Sequence, residues 1–218
     1  MSNQFALTDT LSLPNSQVKI PRLGFGVYRS PTNKCVPSCL QALRAGYRHI
    51  DTAQFYANER EVGDAVRESG LPREEIFITT KIMSPAGSPQ ATYEKLLDSV
   101  RKIAGDGGFV DLFLIHSTGS GSTGRRHLWQ ALERLVEEGR TRSIGVSNYG
   151  VGHIEEMKAY ATVWPPHVNQ IEVSKHRSIE KSCCCCCCCC CCCCCCCCCC
   201  CCCCCCCCCC CSGCYCRN

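Results

Sequence analysis

Six short apolar runs, separated by segments of helical periodicity, restrict this chain to very few architectures. The runs are Leu23–Tyr28, Tyr47–Asp51, Ile76–Ile82, Asp111–His116, Ser143–Asn148 and His167–Val173. The helical patterns between them are Val36–Ala45, Glu59–Glu68, Ser88–Ala104, Arg126–Glu138 and Gly152–Tyr160. Glycine or proline marks most junctions, as at Gly46, Gly70-Leu71-Pro72 and Gly139. Ahead of the first run, Phe5 to Ile20 reads as an N-terminal β-hairpin, with Pro14-Asn15-Ser16 supplying the turn.

Strand alternating with helix predicts an α/β fold: a parallel sheet of right-handed crossover units. An open doubly wound sheet and a (β/α)8 barrel of the TIM type both satisfy the pattern. The dinucleotide-binding doubly wound sheet opens its first helix on G-x-G-x-x-G, whereas Gly24-Phe25-Gly26-Val27-Tyr28-Arg29 has no third glycine. The barrel is the expectation. It is incomplete, with about six of its eight strands, because the alternation stops after the sixth.

Beyond the sixth run the chain turns to cysteine, uninterrupted from Cys183 to Cys211. Of 33 cysteines only Cys35 and Cys39 precede that stretch, so the apolar content of 46% is inflated by it. The expected division is a barrel domain over 1–172 and a low-complexity poly-cysteine tail without fixed structure over 173–218. Thiolate metal clusters and structural zinc sites space their cysteines so that the chain can wrap the ion, and this run has no spacers; no metal site is assigned. A net charge of +4 is too small to point to nucleic acid. The N-terminal stretch has no basic start leading into an apolar segment, and no run of the rest suits a membrane helix. A cytoplasmic location, with reduced thiols and no membrane partner, is expected.

In a parallel barrel, reactive groups gather at the C-terminal ends of the strands. There the sequence places Asp51, Tyr56, Lys81 and His116, followed by Ser147, Asn148, Asn169 and Gln170. Singly, each of the first four has an ordinary reading: Asp51 as a turn cap, Tyr56 as a packing aromatic, Lys81 as a solvated end, His116 as a core histidine. Together they form a chemical unit. A phenol titrates near 10, too high for efficient proton transfer at neutral pH. An adjacent ammonium lowers that value, and a carboxylate keeps the ammonium charged and aimed. Such a set suits protonation of a carbonyl oxygen as a hydride reaches its carbon.

The segments "HIDTAQFYANE" (His49–Glu59), "IFITTKI", "FLIHS", "IGVSNY" and "NQIE" resemble, in order and spacing, the signature segments of the aldo-keto reductases. The resemblance runs from about Phe5 to Glu172. It implies a (β/α)8 barrel that reduces small-molecule aldehydes or ketones with NADPH, as a monomer. Tyr56 would be the general acid, Lys81 and Asp51 would lower its pKa, and His116 would position the carbonyl. Ser147, Asn148 and Gln170 would hold the nicotinamide carboxamide. Asp51 would also border the cofactor, and Gly26, Val27 and Tyr28 would lie along the cofactor or substrate cleft. For Gly24 and Gly26, a tight backbone approach at a strand is an equally good reading. Trp129 and Trp164 are expected to be packing residues.

Two features depart from that family's pattern. After His116 come Ser117, Thr118, Gly119, Ser120 and Gly121, where many members place a large aromatic. From Val173 on, nothing corresponds to the later barrel segments, and an open six-stranded barrel is expected to be impaired in activity and prone to aggregation. A non-catalytic half-barrel and a cysteine-rich metal-binding protein are the alternatives from other classes. Val173-Ser174 can be encoded by the consensus start of a eukaryotic intron, and the cysteine run by a trinucleotide repeat. Translation of a retained intron, or a mis-called gene model, is the expectation. Sequencing the transcript across codons 165–185 checks it: a spliced message should continue in family-like sequence, and an exclusively unspliced one removes the idea.

Overall fold

A computed structural model describes residues 6–172. The cysteine tail lies outside the described residues, as do the first residue of the expected hairpin, Phe5, and the last of the sixth run, Val173.

The hairpin pairs β1 (Thr10–Ser12) with β2 (Lys19–Pro21), antiparallel, with Leu11 opposite Ile20. Asn15 lies in its turn with φ at 51°, a left-handed conformation that asparagine tolerates better than most residues. Leu13 and Val18 bury their side chains against Phe77, Leu112 and Leu114, so the hairpin covers the strands from below.

Next come β3 (Phe25–Gly26), α1 (Thr32–Arg44), β4 (His49–Asp51), α2 (Glu59–Glu68), β5 (Phe77–Ile82), α3 (Pro89–Ala104), β6 (Val110–Ile115), α4 (Gly121–Glu137), β7 (Thr141–Ser147), α5 (Val151–Met157) and β8 (Asn169–Gln170). The six strands β3 to β8 are all parallel and hydrogen-bonded in chain order. That is the expected six-stranded, partial (β/α)8 arrangement. Every residue of β5 and β6 is buried, as strands covered on both faces require.

Local chemistry accounts for the helices. The Ser88 hydroxyl accepts from the Ala91 amide at 3.1 Å and Pro89 occupies the first turn, while Gly105 at φ 75° ends α3. In α2, Glu59 and Glu61 sit at the positive end and Arg67 near the negative one. Between helices and sheet, Cys35, Cys39, Leu96, Val100, Phe113, Leu128 and Trp129 are fully buried or nearly so. Trp129 packs as expected, and its indole donates to Glu133 at 2.9 Å. Among the described residues, no helix is long and apolar enough to cross a membrane.

Two helices begin four or more residues earlier than the sequence pattern indicates. α1 starts at Thr32, four residues before Val36, and carries Pro37 inside it. α4 starts at Gly121 rather than Arg126, and Gly124 in its first turn is a packing residue, while Gly121, Ser122 and Thr123 are exposed. A Cβ on Gly124 would stand 2.8 Å from Ser120 Cβ and 3.4 Å from Pro85, so the first turn lies tight against the β5–α3 loop. Arg125, nearly buried, then donates to the Thr118 carbonyl at 2.9 Å and pairs with Glu156 of α5.

Gly63 of α2 shows how closely the outer helices approach. A Cβ there would meet the Lys102 carbonyl oxygen at 2.9 Å and the Ile103 carbonyl oxygen closer still. Both are backbone atoms of α3 and cannot swing aside. Glycine to alanine in a helix ordinarily stabilises by about 0.5–1 kcal/mol. Here Gly63→Ala should instead destabilise, by about 1–3 kcal/mol as overpacking does, read as a lower urea midpoint at unchanged slope.

Candidate active site

Parallel register brings the ends of β4, β5, β6, β7 and β8 to one face. Gly26 stands opposite Asp51, Asp51 opposite Thr79, Lys81 opposite Leu114, Ile115 opposite Val146 and Ser147 opposite Gln170. Alternation along β5 sends Lys81 toward Asp51 and Thr80 the other way, to Glu59 of α2.

The Lys81 ammonium forms a salt bridge with Asp51 Oδ1, and both side chains are only 1% exposed. It also donates to the Thr52 carbonyl at 2.9 Å and to the Tyr56 hydroxyl at 3.3 Å. The other oxygen of Asp51 accepts from Gln170 Nε2 at 3.0 Å. The Tyr56 ring meets the His116 ring edge-on at 5.6 Å between centroids. The four residues singled out as catalytic candidates are therefore in one cluster.

The candidate cofactor residues adjoin it. Ser147 Oγ donates to the Gln170 carbonyl at 2.9 Å, and Asn148 Nδ2 lies 3.1 Å from Ser147 Oγ and 3.2 Å from the His116 carbonyl. Asn148 has φ 59°, which turns its amide side chain back over the strand ends. Val27 contributes only backbone, because its side chain is in the core and its amide donates to the Asp51 carbonyl at 3.0 Å. Tyr28 is 55% exposed, with its ring 4.9 Å from that of Tyr56. Of the two readings open for Gly24, the structure shows the close approach: a Cβ would stand 2.7 Å from His49 Nδ1.

Three residues beyond the candidate set take part. Phe55, 62% exposed, packs edge-on to His116 at 6.3 Å. Asn58 and Glu59, both buried, fasten the loop that carries Tyr56. An asparagine before a helix reads as an N-cap, and that reading hides Asn58, whose side chain makes no cap hydrogen bond.

Burial dominates the electrostatics. It pushes the Tyr56 hydroxyl above its ordinary value, with Asp51 and Tyr28 adding to the rise. It lowers the Lys81 ammonium, which Asp51 opposes, and it lowers His116 to about 4, with Lys81 adding and Asp51 opposing. Lys81 touches the Tyr56 hydroxyl, but the Tyr56 pKa is raised, which corrects the expectation that Lys81 and Asp51 lower it. Desolvation of the phenolate and the nearby carboxylate outweigh the ammonium 3.3 Å away. At neutral pH the site holds a protonated phenol and a neutral imidazole. Among the described residues no hydrogen-bond partner reaches the buried His116 Nδ1, and no group of three or more His, Cys, Asp or Glu side chains could hold a metal.

The chain that carries this cluster on the C-terminal face of its parallel strands is similar to known proteins. A model described as "Aldo/keto reductase family" matches residues 23–188. The chain is 41% identical over 180 residues to a 9,11-endoperoxide prostaglandin H2 reductase of Trypanosoma cruzi, covering 79% of this chain and 60% of that one. It is 39% identical over 168 residues to a glyoxal reductase of Bacillus subtilis, covering 77% and 59%. Among solved structures, a Bombyx mori aldo-keto reductase in complex with NADP superposes with a TM-score of 0.69 at 30% identity, over 76% of this chain and 58% of that one. The chain belongs to the aldo/keto reductase family. It spans about three fifths of the length of the curated relatives it matches.

One buried and two half-buried histidines give the fold a pH dependence. Burial holds His49 and His116 at about 4 and also lowers His167. An unfolded chain binds those protons near 6.5, whereas in the folded chain His49 and His116 bind them only near 4 and His167 at a lowered pH, so stability is full above about 6.5 and falls as pH drops below it. The urea midpoint should be lower at pH 5 than at pH 7, and His116→Asn should shrink the difference. Equal wild-type midpoints at the two pH values would refute the assignment.

Proposed function

We propose that this chain reduces aldehyde or ketone carbonyls to alcohols, with NADPH as hydride source and Tyr56 as proton donor. The observation that carries the reading is the hydrogen-bonded series from Asp51 through Lys81 to Tyr56, buried at its root and reaching an exposed aromatic rim. Tyr56, held protonated, gives its proton to the carbonyl oxygen. The Lys81 ammonium, in contact with the phenol oxygen, stabilises the phenolate left behind. Asp51 keeps that ammonium charged and aimed. His116, neutral at pH 7, orients the carbonyl by hydrogen bonding rather than by giving up a proton.

The residues present suit a nicotinamide carboxamide. Ser147, Asn148 and Gln170 combine amide donors, amide acceptors and a hydroxyl in one group beside Asp51. Gly26, Val27 and Tyr28 would border the same cleft. When bound, NADPH supplies the hydride and nothing else of the chemistry. The choice of NADPH is supported by the relative solved with NADP. On this proposal the substrate is a small molecule, and the working unit is a monomeric barrel domain over 1–172. Its setting is the reducing cytoplasm, which suits the buried free thiols of Cys35 and Cys39.

The test is NADPH-dependent reduction of para-nitrobenzaldehyde by the purified full chain beside Tyr56→Phe. The variant should lose about 10²–10⁴-fold in kcat, the range for a general acid, while NADPH still binds by fluorescence. A Tyr56→Phe chain that turns over at the wild-type rate sinks the reading.

A further inference from the structure

The loop over residues 52–58 delivers Tyr56 to the site, yet little of that loop is regular. It holds a single short 3-10 turn, Gln54–Tyr56, and then Ala57 in the left-handed region at φ 57°. A residue so placed needs surroundings that hold it there. The side chains that do so are Asn58 and Glu59, 1% and 4% exposed. Asn58 Oδ1 accepts from the Thr52 hydroxyl at 2.7 Å, closing the loop on its own first residue. Asn58 Nδ2 donates to the Val27 carbonyl at 2.9 Å, beside Tyr28, whose ring rests on that of Tyr56. Glu59 Oε1 accepts from the Thr80 hydroxyl at 2.6 Å, on the outward face of β5 next to Lys81. Gln54 adds a weaker tie to Ser99 of α3 at 3.4 Å.

We infer that Asn58 and Glu59 are positioning residues for Tyr56, fastening its loop to the end of β3 and to β5 so that the phenol stays against Lys81. The inference rests on the proposed role of Tyr56. Asn58 precedes α2 but does not cap it, so helix termination does not explain its buried side chain. Burial raises the Glu59 carboxyl, which anchors as a hydrogen-bond acceptor, a role that does not need its charge. A carbonyl after β3 and a hydroxyl on β5 fix the loop in two directions, which a single bond could not. The phenol so held is faced by Asp51, Lys81, His116 and Tyr28.

The test uses the full chain and two readouts, hydrogen exchange of residues 52–58 and steady-state carbonyl reduction. Asn58→Ala and Glu59→Ala should speed exchange in that segment about tenfold without changing β5 or α3. They should lower kcat about 10–100-fold, the cost of a small misplacement, with KM changed less than about threefold. Glu59→Gln keeps an acceptor for Thr80 and should stay near wild type in both readouts. Exchange of 52–58 at the wild-type rate in Asn58→Ala overturns the inference, and so does kcat within about twofold of wild type. Should Asn58→Ala not fold, Thr80→Val removes one anchor isosterically and is judged by the same readouts. If the wild-type chain shows no turnover, that counts against the proposed function, and the exchange result alone upholds or overturns the fastening.

Discussion

Everything on the C-terminal face of the sheet is arranged around one buried ion pair, Asp51 with Lys81. Taking two charges from water into a site 1% exposed costs several kcal/mol per ion, and mutual attraction recovers this only when the remaining hydrogen-bonding capacity is also filled. Here it is filled from three directions. Lys81 reaches the Thr52 carbonyl and the Tyr56 hydroxyl, and Gln170 approaches the free oxygen of Asp51 across 119 residues of sequence. Strand β8 is thereby tied to β4 through side chains rather than through the ladder. A well-packed apolar pair of similar volume would often be at least as stable in such a place. The ion pair is therefore poor evidence of a stability device and good evidence of a chemical one, and it sits beside the phenol it would serve.

The opposite end of the strands solves the same burial problem without chemistry. Asp111 at the start of β6, nearly buried, accepts from Arg73 at 2.8 Å, Arg142 at 3.0 Å and the Ile78 amide at 2.9 Å. The arginines are part exposed and fully charged, so the carboxylate has cations that remain hydrated. His49 opens β4, its ring bonded to the Thr79 hydroxyl at 2.9 Å, packed edge-on against Phe77 and roofed by Gly24. That packing leaves no space for hydration of an imidazolium, which is why the ring stays neutral. One carboxylate is neutralised by peripheral guanidinium groups and the other by a sequestered ammonium. The difference in partner separates the structural end from the candidate reactive one.

How far the sequence announces this arrangement depends on the period of each signal. The buried strands β5 and β6 are short runs rich in apolar residues, and their boundaries are legible to within a residue. The strand-end residues Asp51, Lys81, His116 and Gln170 follow from position alone, since parallel strands put their last residues on one face. The start of α4 is not legible, because Gly121 and Gly124 read as loop composition until Ser120 and Pro85 are seen to occupy the space a side chain on Gly124 would need. Asn58 and Glu59 lie within a signature segment, yet their roles stay hidden because their partners Val27 and Thr80 are 31 and 21 residues away. Nor is the direction of the Tyr56 shift legible. A list of neighbours predicts attraction to Lys81, but burial and the carboxylate behind that ammonium decide the sign.

That sign bears on which way the proposed reaction runs. Reduction needs Tyr56 to arrive protonated; oxidation of an alcohol needs it to arrive as phenolate. Burial, Asp51 and Tyr28 all favour the protonated form, and Lys81 alone opposes them. The resting site is therefore set for proton donation over the whole neutral range. The ammonium's contact matters most after transfer, when the phenolate needs a charged partner and Lys81 is already 3.3 Å away. An acid that is weak at rest yet has its conjugate base stabilised in place loses little to premature ionisation and gains its stabilisation where charge develops. The same geometry asks that the phenol not wander from the ammonium, since at effective dielectric constants near 20 the attraction fades within a few ångströms. The fastening of the 52–58 loop from β3 and β5 follows from that requirement as naturally as the ion pair does.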